Sequence, residues 1–146
     1  MRLIVDQGSY SSVAKGFVLA FWGPTDLSIT HGDASMAVDN HYGAFQYYVK
    51  LFGTNRAKQK YLGKAVPYKY PKNGRILIGL FDRIGNHDKP SEDNVKQCLI
   101  NLKNGMMKYD LKRVSMPSSD IGIGTTTKLV NEVFEETDFD VLIRYI

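Results

Sequence analysis

The segment from Arg113 to Ile146 constrains the fold most. Arg113-Val114-Ser115-Met116 is a short apolar strand, residues 127–136 (TKLVNEVFEE) repeat apolar side chains at helical spacing, and residues 140–146 (DVLIRYI) read as a closing strand. Between the first strand and the helix runs Pro117-Ser118-Ser119-Asp120-Ile121-Gly122-Ile123-Gly124-Thr125-Thr126-Thr127. Strands that alternate with amphipathic helices bury their apolar faces beneath those helices, which places the chain in the α/β class.

The rest of the chain extends this pattern. Residues 2–6 (RLIVD) and 17–22 (FVLAFW) are apolar runs punctuated by Gly8, Gly16 and Gly23-Pro24, the look of buried strands. From Asn40 the spacing becomes helical, with Ala44, Tyr47, Tyr48, Leu51 and Phe52 on one side and Gly53 as the stop. Residues 64–70 and 75–82 are two more strands, joined by Pro71-Lys72-Asn73-Gly74, whose Asn-Gly pair signals a hairpin. Pro90-Ser91-Glu92-Asp93 opens a helix with Val95, Cys98, Leu99, Leu102 and Met106 on its apolar face and acids in its first turn. The order β β α β β α β α β predicts a mixed sheet between helices, with no repeat or linker, and so one domain over residues 1–146.

Composition narrows the classes. At 146 residues, 43% hydrophobic and 23% charged, the chain is that of a soluble globular domain. Its apolar runs fall far short of the roughly 18 to 20 residues a membrane span needs, so no membrane partner is expected. The single cysteine, Cys98, excludes an internal disulfide, and together with the absence of a secretory leader pattern it points to a cytoplasmic setting. One cysteine and three scattered histidines (His31, His41, His87) speak against a metal site, and no cofactor is expected.

The glycine loop carries chemistry. Backbone N–H groups at a helix N-terminus point outward unpaired, glycines let a ligand approach the main chain, and threonines add hydroxyl donors, so a phosphate is the natural guest. A plain turn with a helix cap accounts for the same residues equally well.

The stretch VSMPSSDIGIG followed by VNEVFEETDFDVLIRYI resembles the C-terminal end of macro domains, in particular the short branch of the terminal ADP-ribose protein glycohydrolase and yeast ADP-ribose-1''-phosphatase types. HDKPSEDNVKQCLINLKNGMMKYDLKRVSMP and YYVKLFG extend the resemblance, which covers residues 43–53 and 74–146. The chain is also similar to a family of small proteins of T-even-type bacteriophages, which would put it in the host cytoplasm. The resemblance implies a macro-like three-layer α/β/α sandwich with a central mixed sheet of about six strands.

It also implies a small-molecule ligand, ADP-ribose or a related nucleotide diphosphate, with Gly122, Ile123 and Gly124 around the diphosphate and Thr125 and Thr126 beside them. The family's other glycine loop, at the distal ribose, falls on Asn40-His41-Tyr42-Gly43-Ala44 with Gly43 its one glycine, and the family's adenine-reading Gly-Asp turn falls on Gly8-Ser9-Tyr10, so that Ser9 replaces the aspartate. The catalytic lysine and aspartate of hydrolytic members fall on Arg83 and Thr126. A guanidinium is not an amine nucleophile and a threonine has no carboxylate, so a catalytically degenerate module is expected, in which Arg83 adds a counter-charge and residues 31–43 close over the sugar.

Further residues leave alternatives open. Asp120, Asp33 and His41 are substitute catalytic groups if the chain is instead a hydrolase of ADP-ribose esters or phosphates; the plainer reading of Asp33 and His41 is turn and cap residues, while Asp120 precedes the glycines in a stretch longer than the family's. His87-Asp88 reads either as a general-base pair or as solvated loop. Trp22 belongs either to the core or to the cleft at the strand tips, and Cys98 to the core. Between His41 and Phe81 there is no acid, while Lys50, Arg56, Lys58, Lys60, Lys64, Lys69, Lys72 and Arg75 alternate with Tyr61, Tyr68 and Tyr70. From Lys50 to Arg75 this reads as the stretch of a nucleic-acid- or protein-binding module, or as the solvated basic face of a protein of net charge +4. The oligomeric state is not legible.

Overall fold

The apolar runs pair into one six-stranded sheet in the computed structural model, which describes residues 1–8, 16–29, 32–55 and 59–146. The strands are β1 (Arg2–Gln7), β2 (Val18–Pro24), β3 (Ala65–Lys69), β4 (Ile76–Arg83), β5 (Arg113–Pro117) and β6 (Asp140–Tyr145), in the order β1-β6-β5-β2-β4-β3. All neighbours are parallel except β3 on β4. That exception is the hairpin expected at Asn73-Gly74: Gly74 takes a φ of 70°, Tyr70 N–H donates to Arg75 O at 2.8 Å, and the Asn73 side chain accepts from Arg75 N–H.

Side-chain alternation on the strands builds two cores. Ala20, Trp22, Ile78, Leu80, Val114 and Met116 face α3 (Glu92–Lys108) and α4 (Ile123–Phe134). Leu19, Phe21, Leu77 and Phe81 face α1 (Gly32–Asp39) and α2 (Ala44–Phe52), where Tyr48 and Phe52 pack edge-on against Phe81. Helices thus cover both faces, the expected three-layer sandwich. The α3 helix begins where the sequence says: Ser91 Oγ accepts from Asn94 N–H at 3.1 Å, and Glu92 and Asp93 sit in the first turn.

Three boundaries differ from expectation. Residues 32–39, read as loop, form α1; only Ala37 and Val38 of its eight residues are buried, too few to mark a helical stripe. The helix expected from residue 127 starts at Ile123, because Gly122 turns the chain with φ 110° and ψ 153°, and it ends at Phe134, whose carbonyl accepts from both Thr137 N–H and Thr137 Oγ1. Gly23-Pro24, read as a stop, continues β2 to its tip through a register shift against β4.

Candidate functional site

The parallel strands β2, β4 and β5 lie side by side with their C-terminal ends together, the place where open α/β sheets form a crevice. Their tips are tied. Trp22 Nε1–H donates to Pro117 O at 2.8 Å, joining β2 to β5, while Thr25 N–H and Asp26 N–H donate to Arg83 O and Ile84 O beyond the bulge. A cavity of about 460 Å³ opens above them, within the range of small-ligand sites. Trp22, Asp33, Arg83, His87, Ser118 and Asp120 are among its lining residues. Trp22 is therefore both core and cleft: it is 5% exposed and lines the cavity.

Beneath the cavity runs a buried polar chain. Arg83 Nη1–H donates to Asp82 Oδ1 at 2.8 Å, with the two side chains 7% and 0% exposed. Ser119 Oγ–H donates to Asp82 Oδ2 at 3.3 Å and accepts from Ile121 N–H at 3.3 Å. These contacts fasten the tip of β4 to the segment that leads into α4. Burial pushes the Asp82 carboxyl up, to about 6, against the pull of the Arg83 guanidinium. Asp82 was not legible as a site residue, because an acid that ends an apolar strand reads as a terminator. Its meaning comes from Ser119, which the fold brings across from β5.

The glycine loop stands beside the cavity and does not line it. Gly122 N–H donates to Ser119 O, and Thr126 N–H is the first to return to the helix, donating to Gly122 O at 2.9 Å. Helix geometry leaves the N–H groups of Ile123, Gly124 and Thr125 without an intrahelical acceptor, and no side chain caps them. Gly122 and Gly124 are exposed, so an anion can approach. The threonine expectation needs correcting at Thr126. This residue is fully buried, and its hydroxyl donates to Gly122 O at 2.7 Å; Thr127 Oγ1 does the same to Ile123 O. Both hydroxyls serve the helix and face no cleft.

Arg83 lines the cavity as expected, with its charge met by Asp82. Asp33, in the first turn of α1, and Asp120 line the same cavity, and Asp33 is pushed up by burial first and then by the Asp120 carboxylate. Residues 118–120 thus supply what their sequence position left open. Asp88 Oδ2 accepts from Gly85 N–H at 2.8 Å and closes its own loop, while His87 lines the cavity.

Two expected residues are elsewhere. Gly43 precedes the second helix and lines a separate depression; its φ of 83° and the Tyr68 hydroxyl, 2.9 Å from where a Cβ would stand, account for the glycine by packing. The segment that opens on the cleft is instead Gly32-Asp33-Ala34, the first turn of α1. His41 is 3% exposed with Nδ1 2.7 Å from Ala37 O, so that nitrogen carries the proton and caps the corner between α1 and α2. Burial, then the nearby Arg75 charge, act against its ionisation. Ser9, Tyr10, His31, Arg56 and Lys58 lie outside the described residues. Of the tyrosines read as base-stacking, Tyr68 is buried in the α2 core and Tyr61 stacks on Phe52 at 4.0 Å, so both serve packing. Among the described residues, no helix is long and apolar enough to cross a membrane.

No family model and no curated protein matches this chain. Solved structures do. It is similar to the macrodomain of Thermus aquaticus DarG, with a TM-score of 0.82 at 15% identity over 97% of each chain. The macrodomain of Mycobacterium tuberculosis DarG gives 0.79 at 14% identity, again over 97% of each. Thermosipho africanus DarTG, solved in complex with ADP-ribose, gives 0.68 at 15% identity over 90% of this chain and 39% of that one. At such identities the likeness is one of fold.

Proposed function

We propose that this chain, which has the macrodomain fold, binds ADP-ribose or a related nucleotide diphosphate in the cavity at the tips of β2, β4 and β5. One structural neighbour holds ADP-ribose, and the cavity here stands in the same position that open α/β folds use for nucleotides. The observation that carries the reading is the uncapped, exposed N-terminus of α4, pinned beside the cavity by the Asp82–Ser119–Ile121 chain. Its N–H groups at Ile123, Gly124 and Thr125 receive the diphosphate, and the helix dipole favours that charge. Arg83, paired and buried, and Thr126, buried with its hydroxyl engaged, support binding without the family's hydrolytic chemistry. Holding a nucleotide out of circulation, in the cytoplasm of a host if phage-encoded, is the role this supports.

Calorimetric titration with ADP-ribose tests the reading. Saturable heat that falls at least tenfold in affinity in Gly124→Glu is expected; uniformly absent heat with ADP-ribose and its phosphates sinks the proposal. A second reading has its own observation, since Asp33 and Asp120 share the cavity. If they act on a ribosyl ester or phosphate, wild-type protein turns over ADP-ribose-1''-phosphate or ADP-ribosylated protein and Asp120→Ala does not.

A further inference from the structure

The corner built by α2, β3 and the 70–75 hairpin is the second surface with a chemical character of its own. Tyr42 is 78% exposed, Tyr47 40% and Phe45 37%. Single exposed aromatics are ordinary, but three at one corner form a patch that marks a contact surface. They are held in place from below. The Tyr42 ring meets Tyr70 edge-on at 6.2 Å, the Tyr47 ring leans on Tyr68 at 5.3 Å, and the Tyr68 hydroxyl donates to the Tyr42 carbonyl.

Beside Tyr42 lies a depression of about 310 Å³ with Ile29 and Val38 as apolar lining, Phe45 as a wall, and Gln46 and Asp39 as its polar edge. Aromatic walls with a primary amide and a carboxylate match the face and the edge of a nucleobase. Around it the charge is one-signed. The chain has no acid between His41 and Phe81, Lys50, Lys72 and Arg75 are exposed, and Arg75 is near enough to His41 to oppose its ionisation. Asp39 is the carboxylate inside the depression itself, where it meets amino donors of a base and not phosphate.

We propose that this corner binds single-stranded nucleic acid, with one base seated between Tyr42 and Phe45 against Gln46 and Asp39 and the backbone passing Arg75, Lys72 and Lys50. A paired base has its edge engaged and its faces stacked, so the depression admits only an unpaired one. The site is separate from the cavity above. Asp33 at the first turn of α1 lines that cavity and Asp39 at its last residue lines this depression, about 9 Å apart along the helix. The proposal does not depend on what the cavity binds.

Fluorescence anisotropy of labelled adenine oligomers of about 12 nucleotides, as DNA, as RNA and as a DNA duplex, tests it. Saturable binding of at least one single strand, tighter than the duplex, is expected, with log affinity falling against log salt at a slope of about −2 for three phosphate contacts. Tyr42→Ala weakens binding about tenfold, and the pair Lys72→Glu with Arg75→Glu flattens the salt slope. Each variant keeps the wild-type circular dichroism and the wild-type heat with ADP-ribose, which separates this site from the cavity. Gln46→Ala, a truncation at an exposed position, gives a second measure of the base contact. No anisotropy rise with either single strand at low salt, preference for the duplex, or undiminished binding by both Tyr42→Ala and Gln46→Ala overturns the proposal.

Discussion

Replacing Arg83 by methionine probes the buried pair under the cavity, and its cost should depend on pH. The Asp82 carboxyl is raised to about 6 by burial even with the guanidinium at 2.8 Å opposing the rise. A carboxyl whose native pKa lies above its unfolded value of 3.8 holds its proton more tightly when folded. The stability this contributes is full below 3.8 and is lost as pH climbs toward about 6. Removing Arg83 takes away the largest of the forces holding that carboxyl down, so the window of loss extends upward.

The size follows from the window. At about pH 5 the wild-type carboxyl is already largely protonated, so losing the guanidinium changes little through this route. At about pH 8 wild-type Asp82 is ionised and partnered, and the variant must either bury a carboxylate without its counter-charge, held by Ser119, or protonate it. If the variant carboxyl rises to 8 or beyond, the extra cost is two further pKa units, roughly 3 kcal/mol. Packing lost with the arginine stem is common to both conditions and cancels in the difference. Urea unfolding of wild type and Arg83→Met at the two pH values measures it. A variant cost that is equal at both, or larger at the acid value, refutes the argument that Arg83 is the partner which lets Asp82 ionise in the fold.

Three other outcomes follow from single positions. Gly122→Ala meets no atom within 4 Å, yet φ 110° with ψ 153° is a glycine region, so it should lower stability by about 1–3 kcal/mol in urea and weaken ADP-ribose binding by misplacing the start of α4; unchanged unfolding would show that the turn is not needed. Gly79→Ala places a Cβ 2.7 Å from one Phe81 ring atom and 3.0 Å from Phe21, both rings fully buried, and should cost about 1–3 kcal/mol by overpacking; a midpoint equal to wild type would mean the aromatic layer yields freely. The Cys98 thiol is buried and pushed well up by that burial, so a thiol reagent at mildly alkaline pH should label it only when denaturant unfolds the chain; rapid labelling of native protein would contradict its place in the core.

What the sequence made legible was what local chemistry decides. Leu77 to Phe81 and Leu19 to Trp22 could hardly be other than buried strands, and Asn73-Gly74 dictated the antiparallel pairing of β3 with β4. The glycine turn and the uncapped helix start at Gly122 to Thr125 were equally local, because an uncapped helix N-terminus needs no distant partner. Arg83 and Asp120 both line the cavity, but what they do there depends on residues far along the chain. Asp82 neutralises Arg83, Ser119 joins Asp82 from another strand, and Asp33 enters from α1, a helix whose two buried side chains left no stripe to read. Gly43 misled for the same reason. Its glycine answers to Tyr68, a residue on β3 whose hydroxyl fills the space above it.

Once assembled, the charges around the cavity fix how an anionic nucleotide would have to lie. Arg83 is neutralised by Asp82, so it offers a diphosphate little net attraction, while Asp33 and Asp120 face the same space and repel it. Lys89, which lines the cavity, and the N–H groups of Ile123, Gly124 and Thr125 beside it are the positive groups that remain, and in the reading proposed above they would draw the phosphates. Asp33 and Asp120 accept hydrogen bonds, so the groups that suit their side are hydroxyls, and a ribose of the proposed ligand would lie against α1 and Ser118-Ser119-Asp120. The carboxylates that make the cavity unwelcoming to a phosphate in its centre are what would orient a sugar and a diphosphate within it.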